Sequence, residues 1–140
     1  MSKLMKVNLS FLGFFMLIPG LVKFVDPFKT FFIEQIAYTE LPFPFLTRVM
    51  GQSSEILTGL ILFYLVFYST KINKELFGKL FYFSHLMLVI ILSVALYVHF
   101  HPAVPAEILP FEEKKPFLTV AMLIGVALNI FLIKQKNQNK

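Results

Sequence analysis

The chain has 140 residues, 57% of them hydrophobic and 15% charged, with a net charge of +5 and a mean hydropathy of +0.75. That is more apolar surface than a soluble domain of this length can bury, so the composition points to a lipid bilayer. No basic stripe is interleaved with exposed aromatics, which argues against nucleic acid, and the absence of cysteine removes disulfides, thiolate metal ligands and CxxC redox chemistry.

The first apolar run, residues 7–25, reads VNLSFLGFFMLIPGLVKFV. At about 1.5 Å per residue it is long enough to cross roughly 30 Å of hydrocarbon. Lys3 and Lys6 precede it and no A-x-A-like cleavage site follows, so it reads as an uncleaved first span. In the next segment Asp26 is expected as an N-cap with Pro27 at the first helical position. Over 27–38, Phe28, Phe31, Phe32 and Ile36 recur at helical spacing while Lys29, Glu34 and Gln35 fall elsewhere, the pattern of a helix lying in the membrane interface. Pro42 and Pro44 end it. Further spans follow at 49–68, 80–100 and 117–133, each bounded by charge or proline, before a polar tail. The expected architecture is an all-α membrane protein of one domain over 1–140: a four-helix transmembrane bundle with a short interfacial helix in its first outer loop.

Charge gives the orientation. Lys3, Lys6, Lys71, Lys74, Lys79, Lys134, Lys136 and Lys140 fall on one side against Glu75 alone. The other side holds Lys23, Lys29, Arg48, Lys114 and Lys115, outnumbered by Asp26, Glu34, Glu40, Glu107, Glu112 and Glu113. The positive-inside rule then puts both termini in the cytoplasm. On that topology Asn8 to Ser10, which matches a glycosylation pattern, lies at a cytoplasmic start and is discounted.

Ionisable residues within spans are costly and normally face the bundle interior with a partner. Lys23 late in the first span, Glu55 early in the second, and Tyr97, His99 and His101 at the end of the third all fall at one depth near the outer surface. They are the candidate polar or ligand-binding cluster, with a Lys23–Glu55 ion pair and a histidine beside it as the expected core. Lys23 is placed about one turn before the end of its helix. Gly51 and Gly59 flank Glu55 at four-residue spacing, where small residues admit another helix backbone. Pro102 biases His101 toward extended geometry, and Pro102 and Pro105 stiffen the return to the last span. Two histidines fall short of the three or four ligands of a usual zinc site; Glu107 or Glu55 could complete it, but the His-x-His spacing alone is weak evidence and no metal is assigned. His85, near the cytoplasmic end, reads as a packed histidine with one hydrogen bond. No GxSxG, HExxH or phosphate-loop motif names a reaction.

"GLVKF" late in the first span and "EILTGL" early in the second resemble the DoxX-like membrane proteins, whose pattern is G-x-x-K followed by a glutamate with glycine four residues on. Gly20, Lys23, Glu55 and Gly59 carry the resemblance, and the stretch His99 to Pro105 looks like a short divergent branch. The glycine-rich ending of many longer members is absent. The resemblance implies a bacterial inner-membrane protein, in some members associated with quinone-linked sulfur oxidation or oxidative-stress complexes, while others look like trafficking or assembly factors. Two functions follow as expectations. One is an accessory subunit of a quinone-linked redox or stress-response system, holding a quinone or lipid at the outer polar layer. The other is a non-enzymatic assembly factor that binds another membrane protein or a second copy of itself.

Overall fold

The structure, a computed structural model, describes residues 1–138, with side chains as far as Gln135; Lys140 and the side chain of Lys136, both counted with the basic tail, lie outside the described residues. The described residues form α1 (Lys3–Val22), α2 (Phe28–Tyr38), α3 (Pro44–Tyr68), α4 (Lys74–Phe100) and α5 (Phe117–Gln138), with two 3-10 turns, Ala106–Ile108 and Pro110–Glu112, before the last helix. Four of the helices, all but α2, are long and apolar enough to cross a membrane, which makes this a multi-pass membrane protein.

The membrane-spanning helices overrun the apolar runs of the sequence at half of their ends, because a helix continues past the hydrocarbon until a cap stops it. Ser2 Oγ accepts from the Met5 amide at 3.2 Å and opens α1 four residues before the apolar run. Asn73 Oδ1 accepts from the Leu76 amide at 2.7 Å and opens α4 well before residue 80. At the other end of α1 the helix stops at Val22, so Lys23 is its C-cap, one step outside the helix where the sequence places it a turn inside.

The start of α2 also differs from expectation. Pro27 occupies the cap position, and Asp26 caps no backbone amide; its Oδ1 accepts from the Thr30 hydroxyl at 2.7 Å. Pro44 opens α3 after Phe43, which takes a left-handed conformation at φ 51° between two prolines.

In the bundle α1 packs on α3 and α5, and α4 packs on the same two helices from the opposite side. Leu9, Leu12, Leu62, Leu65, Phe81 and Leu88 are fully buried at its centre. The α1–α3 contact is the closest. A Cβ on Gly59 would lie 2.8 Å from the Leu17 backbone nitrogen, and one on Gly20 would lie 2.8 Å from Ile56 Cγ1. Gly59 requires glycine because the α1 backbone stands where a side chain would go, while at Gly20 the crowding comes first from the Ile56 side chain, with the Ile56 backbone nitrogen at 3.2 Å. Gly51 differs from Gly59: its added Cβ would meet only Phe32, at an ordinary 3.5 Å, so it is not a place of close helix approach.

One end of the bundle is plated over. Ile36 of α2 is buried, and Phe31 packs on a small second core of Val98, Val104, Ile108 and Leu109. Gln35 Nε2 donates to the Ile108 carbonyl at 2.5 Å, and Tyr97 Oη donates to the Thr39 carbonyl at 3.3 Å. The two connections of this end therefore hold each other, while among the described residues the opposite end carries the Ser2 cap and the short 69–73 turn.

Candidate functional site

The α2 end contains an ion pair and, apart from it, a histidine cleft. At the C-cap of α1 the Lys23 ammonium reaches both carboxylate oxygens of Glu55 on α3, at 2.5 and 2.6 Å. The two side chains are 16% and 12% exposed, and the Phe32 ring of α2 covers the ammonium at 4.1 Å from its centroid. Gln52, one turn before Glu55, donates to the Gly20 carbonyl at 3.0 Å. Lys23, Glu55, Gly20 and Phe32 thus form one junction that ties α1, α2 and α3. A carboxylate held on both oxygens by one ammonium fastens α1 to α3.

The histidines stand elsewhere. Among the described residues no hydrogen bond or ion pair links Lys23 or Glu55 to Tyr97, His99 or His101. Equal depth in the bundle did not bond them: Lys23 belongs to α1, while α4 packs on α3 and α5, and Glu55, on α3, is taken up by Lys23. His99, 6% exposed on the last turn of α4, faces the second loop and α5. Its ring has no hydrogen-bond partner among the described residues, and Nδ1 is fully buried. His101 is the C-cap of α4, in the extended geometry that Pro102 favours (φ −67°, ψ 125°). Its Nδ1 is likewise buried without a partner, its ring meets Tyr97 edge-on at 5.5 Å, and its carbonyl accepts from Lys114 Nζ at 2.8 Å.

His99 lines an open cleft of about 540 Å³, together with Phe111, Lys115, Phe117 and Thr119. Phe111, on the cleft wall, is 80% exposed and holds a left-handed backbone at φ 61°. For a non-glycine residue that conformation costs about 1–2 kcal/mol, so the neighbouring chain must enforce it. A cleft with aromatic walls and one imidazole lacking a partner has the chemistry to hold a flat amphipath through a carbonyl or hydroxyl group. No group of three or more His, Asp or Glu side chains that could hold a metal occurs among the described residues.

Comparison with family models, with curated proteins and with solved structures finds no match to this chain.

A further polar system lies toward the Ser2 end. Asn8 Nδ2 of α1 donates to the Gly125 carbonyl at 2.7 Å and to Asn129 Oδ1 at 2.9 Å, both on α5. Asn129 Nδ2 then faces His85 Nε2 of α4 at 3.2 Å, and His85 Nδ1 faces the Phe81 carbonyl at 2.7 Å. An amide N–H can only donate and a carbonyl can only accept, so the geometry assigns the hydrogen of His85 to Nδ1. The chain of donors runs in one direction from α1 through α5 to α4. Asn129 is 0% exposed and His85 2%. His85 is therefore bonded through both ring nitrogens, one more than the sequence reading gave it, and Asn129 was missed. The available signal was a lone asparagine in the apolar run VALNIFL, four residues after a glycine.

Proposed function

We propose that this chain is a DoxX-like protein of a bacterial inner membrane that holds the head of a lipophilic amphipath of the quinone class in the His99 cleft, as an accessory subunit of a redox or stress-response system. In this reading both termini are cytoplasmic, α2 lies in the outer interface, and the polar layer faces the outer leaflet. The observation that carries it is His99: a buried imidazole with no partner in the chain, on the wall of a cleft that also contains Phe111 and Phe117. Buried polar groups are nearly always bonded, and one that is not points to a missing partner. An imidazole N–H donates well to a quinone carbonyl, and aromatic faces accept a flat ring. In this reading Lys23 and Glu55, expected as part of a polar or ligand-binding cluster, hold α1 on α3.

The alternative is a non-enzymatic assembly factor that binds another membrane protein or a second copy through the α2 end. Gln35–Ile108, which joins the two outer connections, and Tyr97–Thr39, which ties α4 to the end of α2, favour it, since they make a rigid plate of the kind that docking requires. Mass spectrometry of the gently solubilised protein, organic extract included, separates the two. A stoichiometric quinone that is lost in a folded His99→Leu variant is the expected result. A bare protein, or one carrying only a second polypeptide, overturns the quinone reading in favour of assembly.

A further inference from the structure

A second cleft, of about 250 Å³, opens where α1 ends and α2 and α3 begin, and it is lined by Lys23, Lys29 and Arg48 with Phe24, Phe32 and Val49. The Lys23 charge is neutralised by Glu55. The other two cations are not neutralised: among the described residues the only ion pairs are Lys23–Glu55 and Lys79–Glu75. Arg48 rests over the Phe45 ring at 5.5 Å and makes no side-chain hydrogen bond, although it is only partly exposed. Asp26, the acid nearest to Lys29 in the sequence, is turned to the Thr30 hydroxyl. The cleft therefore holds two cationic heads whose donors meet no acceptor among the described residues.

The apolar side of the cleft narrows the choice of anion. Phe24 and Val49 are 65% and 43% exposed, and they continue onto the apolar faces of α1 and α3. A soluble anion gains nothing from such a wall, whereas an acyl chain does. We propose that this cleft is a binding site for an anionic phospholipid, its phosphate between Lys29 and Arg48 and its first methylenes against Phe24 and Val49. Arg48 supplies a planar fork for two phosphate oxygens and Lys29 a mobile point charge. The site shares no residue with the His99 cleft and stands independently of the quinone reading.

The test is native mass spectrometry of the full-length protein in a non-ionic detergent, titrated with phosphatidylglycerol or phosphatidylcholine. Retention of phosphatidylglycerol on the order of tenfold above phosphatidylcholine is expected, falling to parity in Lys29→Gln/Arg48→Gln and weakening in high salt. The single variant Lys29→Gln, at an exposed position, is expected to lose part of the preference with the fold intact. His99→Leu is expected to leave the preference unchanged. Equal retention of the two lipids by the native protein, or a preference that survives the double substitution, overturns the proposal. Displacement of phosphatidylglycerol by an equal concentration of inorganic phosphate overturns the lipid assignment and makes the site one for a soluble anion.

Discussion

Toward the Ser2 end, each polar side chain of the Asn8–Asn129–His85 chain that enters the apolar core is answered by another, and nothing is charged. Toward the α2 end, a charged pair fastens α1 to α3 while two imidazoles lack partners for Nδ1 and two cations lack acids. The contrast separates structural polarity from polarity available to a ligand. A hydrogen-bond chain that runs from helix to helix and ends on the Phe81 carbonyl specifies which helices are neighbours and leaves neither ring nitrogen of His85 open. The α2 end also uses polarity to specify neighbours, at Lys23–Glu55, but leaves His99, Lys29 and Arg48 unspent, and each of the three lines a cleft.

The largest expected effect comes from breaking the fastening on one side. Glu55→Gln leaves a poorly solvated ammonium, and a loss of about 3–5 kcal/mol is expected, with recovery when Lys23→Met is added. Reversible denaturant unfolding in detergent reads both variants; an undisturbed Glu55→Gln protein would return Glu55 to the list of ligand groups. Next is Gly59→Val, whose side chain meets the α1 backbone at Leu17 and not a flexible side chain. Overpacking of that kind costs about 1–3 kcal/mol, and the same change at Gly51 is expected to be tolerated, because only the Phe32 ring lies near. Equal effects at the two glycines would restore the symmetric stripe that the sequence suggests.

Smaller again is Asn129→Leu, which removes the centre of the neutral chain, strands His85 Nε2 and leaves the Asn8 amide only the Gly125 carbonyl. Hydrogen bonds between membrane helices are worth about 1–2 kcal/mol at most, so a loss of that size is expected in the same unfolding measurement. The smallest effect on stability belongs to His99→Leu. Replacing a polar group that has no partner by an apolar one is close to neutral, within about 0.5 kcal/mol, so the substitution is expected to remove bound amphipath without unfolding the protein. A large destabilisation there would mean that His99 belongs with the fastening and not with the cleft.

Much of this was legible in the residues. The long helices, the short α2 and the Lys23–Glu55 pair follow from apolar run length, the Phe28–Ile36 spacing and the rule that intramembrane charges seek partners. Asp26 was less legible, since its carboxylate can serve a backbone amide or the Thr30 hydroxyl equally well and only the local chain path chooses. Asn129 was hidden because a single asparagine in an apolar helix carries no record of its partners, which lie on two other helices.

Composition, span length and the order of charges by themselves determined that this is a multi-pass helical protein and at which depth its polar groups lie, because depth depends only on position along a helix. Which of those groups meet was decided by the tertiary structure alone. Residues at equal depth still face different neighbours, and it is the packing of α1 between α3 and α5, with α4 on the far side, that gives Lys23 to Glu55 and leaves His99 to its cleft.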